Sequence, residues 1–107
     1  MANIKFNYLY RDAGNYKMYG SQVFANPQNI SLPQIEEKIK ESLIDGEFFN
    51  PVKWDLEPLK FDNWDQELDH TWNEFESIEL TSEQPTSDKS ILTFLERITL
   101  LEPSARF

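Results

Sequence analysis

One short stretch concentrates the side chains that could do chemistry. It reads Asp65-Gln66-Glu67-Leu68-Asp69-His70, with Glu74 and Glu76 close behind. Carboxylates suit hard divalent cations, and the imidazole of His70 could add a nitrogen ligand. On a helix, Asp65 and Asp69 would share a face, and so would His70 and Glu74. Asp65, Asp69, His70 and Glu74 are thus the candidate metal ligands. Their spacing fits neither an EF-hand loop nor the His-Glu-x-x-His motif. An acid-rich segment produces such intervals by chance, so the expectation is no metal site and no cofactor.

Other catalytic arrangements have less support. His70 is the only histidine. As a general base it would need a positioned partner and an activated nucleophile. No Gly-x-Ser-x-Gly elbow is present. Ten acids in one segment offer so many carboxylate pairs for glycoside hydrolysis that none is singled out. The three glycines form no phosphate-binding run. Cysteine is absent, which excludes disulfides, thiolate zinc sites and cysteine nucleophiles. The expectation is a non-catalytic protein with no catalytic residue. A metal-dependent enzyme built on the four residues above remains a further alternative.

The charge distribution is more informative. The 107 residues carry 19 acids and 10 bases, a formal −9. Residues 55–83 hold ten of those acids and a single base, Lys60, so this segment accounts for the whole excess. Such a segment solubilises a protein. It is also the composition of a docking surface for a basic partner, where complementary charge accelerates encounter and rejects wrong partners. Asp62, Asp65, Glu67, Asp69, Glu74 and Glu76 are the candidate contacts. Direct binding to nucleic acid is not expected, because no cluster of Lys and Arg is available to displace counterions from phosphates. The same electrostatics disfavour an anionic membrane. An acidic surface could instead imitate a phosphate backbone and occlude a DNA- or RNA-binding protein, which is the alternative function.

Aromatic residues make up 14% of the chain, too many for a disordered polymer. No stretch approaches the ~20 apolar residues of a membrane helix. The N-terminus shows no basic-plus-apolar signal peptide, which points to a cytoplasmic protein. The length suits one domain, residues 1–107.

The elements that must position the acids can be read from periodicity. Ile4, Phe6, Tyr8 and Tyr10 recur at every second position, the period of a half-buried strand. Asp12-Ala13-Gly14-Asn15 reads as a turn, and Tyr16–Ala25 as a second strand with a bulge near Gly20-Ser21. Ser31-Leu32-Pro33-Gln34 is a capping box. It opens a helix whose stripe is Leu32, Ile35, Ile39 and Leu43 and whose cap is Gly46. Residues 47–64 look irregular, with short strands at 52–54 and 59–61. Residues 65–80 fit either a helix or a strand. Propensity favours a strand from about 71 to 80 after a turn or short helix. Ser87 is the expected N-cap of a last helix, with Ile91, Phe94, Leu95, Ile98 and Leu101 as its stripe and Pro103 as its end. Trp54, Trp64 and Trp72 fit either a small core or an interface hot spot, with at least two assigned to the core.

Three stretches, Tyr8-Leu9-Tyr10-Arg11-Asp12-Ala13-Gly14-Asn15-Tyr16, Asp45-Gly46-Glu47-Phe48-Phe49 and Glu67-Leu68-Asp69-His70, resemble parts of small bacterial proteins of unknown function. The resemblance spans residues 4–79. It implies a bacterial or mobile-element origin and transfers no activity and no site residue. The expected fold is α+β: a small antiparallel sheet, made of an N-terminal hairpin plus a later strand, with two helices packed on one face. The expected function is an acidic protein-interaction module, with homodimerisation through the free edge of the hairpin as an added possibility.

Overall fold

A computed structural model of the chain describes residues 2–11, 14–57, 59 and 72–100. Strand β1 (Asn3–Arg11) carries the alternation that the sequence shows: Ile4, Phe6, Tyr8 and Tyr10 are buried, while Lys5, Asn7 and Arg11 face outward. It pairs with β2 (Lys17–Phe24) in an antiparallel register running without interruption from Ile4 opposite Phe24 to Arg11 opposite Lys17. The bulge expected at Gly20-Ser21 is therefore absent. Gly20 has another reason to lack a side chain: a Cβ there would stand 2.9 Å from Leu59 Cδ2, so Leu59 fills that space.

Helix α1 (Leu32–Ser42) begins where the capping box places it. Ser31 Oγ accepts from the Gln34 amide at 3.4 Å and donates to Gln34 Oε1 at 3.0 Å. The helix ends earlier than expected, with Leu43 as an extended C-cap. Gly46 is left-handed (φ 72°), as is Asp45 (φ 53°), but both lie in a tight turn that brings the Phe48 carbonyl to the Ile44 amide at 2.7 Å. Asp-Gly suits two successive positive φ values. That turn leads into β3 (Phe48–Phe49), a two-residue strand in a region that reads as irregular.

The expected strand at 52–54 is a turn instead. Trp54 and Leu56 amides donate to the Asn50 and Pro51 carbonyls, and Asp55 is left-handed. Leu59 lies in no strand, and Lys60 and Phe61 lie outside the described residues. Strand β4 (Asn73–Thr81) resolves the ambiguity of 65–80 in favour of a strand over its described part. Helix α2 (Ile91–Leu100) is capped by Ser90, not Ser87. Ser90 Oγ accepts from the Thr93 amide at 3.3 Å, and the first helical amide, Ile91, donates to the Ala25 carbonyl at 2.8 Å. Ser87 Oγ accepts instead from the Lys89 amide, at 3.1 Å. Leu101 and Pro103 lie outside the described residues.

The sheet order is β2-β1-β4-β3, all antiparallel. The buried faces of both helices and of the sheet meet in one core, so the α+β expectation holds. Phe6 sits at its centre, with ring centroids of Tyr8, Phe49, Trp54, Phe75 and Phe94 between 5.4 and 6.3 Å away. The planes are tilted or edge-on, the arrangement aromatic quadrupoles prefer. Trp54 stacks on Phe49 at 4.6 Å and is a core residue. Trp72 is half-buried, and Trp64 lies outside the described residues.

Candidate functional site

The acidic strand is β4, Asn73-Glu74-Phe75-Glu76-Ser77-Ile78-Glu79-Leu80-Thr81. Its pairing with β1 slips once. Asn7 stands opposite Ser77 and Tyr8 opposite Phe75, which leaves Glu76 without an opposing residue. This bulge explains why strict alternation gave no clear phase. On the N-terminal side odd positions face the core, and on the C-terminal side even positions do. Phe75 and Ile78 both pack against the core as a result. Glu74 and Glu79 face the open side, across from Leu9 and Lys5. A bulge bends the strand and re-aims the extra residue. Glu76 is exposed there and forms no ion pair among the described residues.

Several other acids are already matched. Arg11 grips Glu74 with two nitrogens, Nε to Oε2 at 2.9 Å and Nη2 to Oε1 at 3.4 Å, while Nη1 donates to Asn15 Oδ1 at 2.6 Å. The Glu74 carboxylate raises the pKa of Arg11 by hydrogen bond and charge. Lys5 Nζ donates to Glu83 Oε2 at 2.9 Å, and the Thr81 hydroxyl donates to the same oxygen at 3.0 Å. These contacts raise the Lys5 pKa and hold the Glu83 carboxyl below its ordinary range, the Lys5 hydrogen bond being the larger cause. Lys89 pairs with Asp55, which likewise lowers the Asp55 pKa and raises that of Lys89.

Of the expected partner contacts, the structure thus places Glu74 in an internal ion pair and Glu76 in the open. Asp62, Asp65, Glu67 and Asp69 lie outside the described residues, and so does His70. Of the candidate metal ligands only Glu74 is described, and both its oxygens accept from Arg11. Among the described residues no three His, Cys, Asp or Glu side chains group as a metal site. Glu79, which the sequence did not single out, is exposed beside Glu76's strand end. Only the cross-strand register, invisible in one dimension, separates it from Glu74.

A concavity of about 320 Å³ opens between α1 and α2. Ile30, Leu92 and Leu95 supply its apolar lining, with Gln34, Lys38, Glu96 and Thr99 around them. It holds no nucleophile–base pair. Among the described residues no helix is long and apolar enough to cross a membrane. Comparison with protein-family models, with curated proteins and with solved structures finds no match to this chain.

Proposed function

We propose that this protein is a non-catalytic interaction module that presents its acidic segment to a basic surface on a partner protein. The observation that carries the proposal is which of the described acids are paired with a base and which are not. Lys5, Arg11 and Lys89 each already hold an acid, Glu83, Glu74 and Asp55 respectively. Glu57, Glu76 and Glu79 stay exposed and form no ion pair among the described residues. The four acids at 62, 65, 67 and 69 add to that excess with only Lys60 to offset them. Unmatched exposed carboxylates raise the rate at which a basic partner is captured.

The test uses the full chain as bait, nuclease-treated, with the wild type set beside a variant carrying D62N, D65N, E67Q, D69N and E76Q. Glu74 is left intact so that its bond to Arg11 survives. The expected result is one stoichiometric partner that elutes at moderate salt and is lost from the variant. Interactions among exposed charges are screened over ~8 Å at physiological ionic strength, so salt must weaken a genuine complex. Equal capture by both baits would refute the reading. Displacement by excess duplex DNA or RNA would identify the occupied surface as one that normally binds nucleic acid.

A further inference from the structure

β2 is the outer strand of the sheet, and its free side has a defined length. At its C-terminal end the Val23 amide donates to Thr86 Oγ1 at 2.8 Å, and the Val23 carbonyl accepts from Thr86 and Ser87 at 2.9 and 3.1 Å. The backbone of Val23 therefore points away from β1. Alternate residues of a strand point the same way, so Ser21, Tyr19 and Lys17 also direct their amides and carbonyls outward. None of the three has a hydrogen bond on that side among the described residues, and all three are exposed. The Thr86–Ser87 contact closes the edge at one end, and the strand begins at Lys17 at the other.

We propose that this edge pairs antiparallel with β2 of a second copy of the chain, on a two-fold axis through Tyr19. Three outward residues between the Thr86–Ser87 contact and the start of the strand admit one register that uses all of them. Tyr19 lies opposite Tyr19 of the second copy, and Lys17 lies opposite Ser21 in both directions. Such a contact is isologous and closes on itself. The two Tyr19 side chains, 61% exposed in the single chain, become a cross-strand aromatic pair.

Charge selects this edge and this occupant. β2 carries no acid and one base, Lys17, on a chain of −9. Two copies can meet here without opposing carboxylates, and the chosen register separates the two Lys17 side chains by about 14 Å along the strand at ~3.4 Å per residue. The open stretch of β4 beyond β3 would instead bring Glu76 and Glu79 of one copy beside those of the other. The proposal is independent of the acidic docking surface. Its salt response is also opposite, since screening relieves repulsion between two like-charged chains.

The experiment is sedimentation velocity of the full chain across a concentration series, with three variants. The wild type is expected to reach about twice the 12.7 kDa chain mass. Ser21→Pro removes an amide that the monomer does not use, which an edge strand tolerates. It is expected to remain monomeric with an unchanged far-UV spectrum and melting temperature. Tyr19→Cys brings two thiols together at an ordinary disulfide Cα separation, ~5.5 Å for a hydrogen-bonded pair. It is expected to cross-link as a dimer under mild oxidation, whereas Lys17→Cys is not, because its counterpart is too far away. The chain has no other cysteine to confuse the result. A monomeric wild type, a dimer indifferent to Ser21→Pro, growth beyond a dimer, or equal cross-linking by both cysteine variants would overturn the proposal. Should Ser21→Pro unfold the chain, the two cysteine variants still decide the register.

Discussion

Tyr8 places a phenol inside the aromatic core, where it is 2% exposed. Its hydroxyl donates to the Glu57 carbonyl at 2.7 Å. Burial, reinforced by the Glu57 charge, raises its pKa to about 12. The unfolded chain would ionise this group near pH 10. Between about pH 10 and pH 12 the folded state therefore binds the proton more tightly than the unfolded state. The stability this gives is complete below pH 10 and is lost as pH rises through 12. At 1.36 kcal/mol per unit, the loss amounts to on the order of 2 kcal/mol. Denaturant melts from pH 9 to 12 should show this alkaline fall in the wild type and a shallower one in Tyr8→Phe. Equal slopes would mean that Tyr8 ionises as freely in the folded chain as in the unfolded one. The other buried polar side chains bond to nearby backbone: Asn26 spans both backbone groups of Ile30 at 3.0 Å, and Asn73 reaches the Leu59 amide at 3.3 Å. Tyr8 was legible as a core residue because alternation alone marks it. Nothing in the sequence marks its partner, 49 residues away.

The elements were legible where a single period governs them. β1 and α1 have one apolar period each and a clean start, and both form as that pattern dictates. β4 resisted because two phases meet at Glu76. The ends of elements resisted because distant groups set them. Ser90 caps α2 because Ala25 holds its first amide, a contact across more than sixty residues. The bulge makes a sharp prediction. Removing Glu76 leaves Glu74, Phe75, Ser77, Ile78, Glu79 and Leu80 in strict alternation, each opposite its present β1 partner. Deletion of Glu76 should cost little, within ~1 kcal/mol, because no core side chain changes face. Deletion of Glu79 is the contrast. It joins Ile78 directly to Leu80 and flips every residue on one side of the cut, which should cost several times more. Urea denaturation of the two deletions measures the difference. Equal costs would place the bulge among features the fold requires. A tolerated deletion of Glu76 that also weakens partner capture would tie the extra residue to the acidic surface.

At the scale of the molecule, the size of the charge imbalance was legible and its arrangement was not. Counting gives −9, but only the fold brings Lys5 to Glu83, Arg11 to Glu74 and Lys89 to Asp55. These pairs sit at or near the surface, where solvent screening and side-chain entropy leave each of little weight. Added salt weakens them. It also weakens the mutual repulsion of the acids that have no base to meet, and with 19 acids against 10 bases at least nine are in that position. The second effect should dominate, because self-repulsion of a highly charged chain opposes its compact state. Raising sodium chloride from ~0.01 M to ~0.15 M shortens the screening length from ~30 Å to ~8 Å. The melting temperature should rise over that range, then level off once the carboxylates no longer sense one another. The variant that neutralises residues 62, 65, 67, 69 and 76 should start from a higher melting temperature and respond less to salt. A melting temperature that falls with salt in the wild type would mean that the ion pairs hold more of the stability than the acidic excess removes. The acidic segment would then be matched internally, with little charge left to offer a partner.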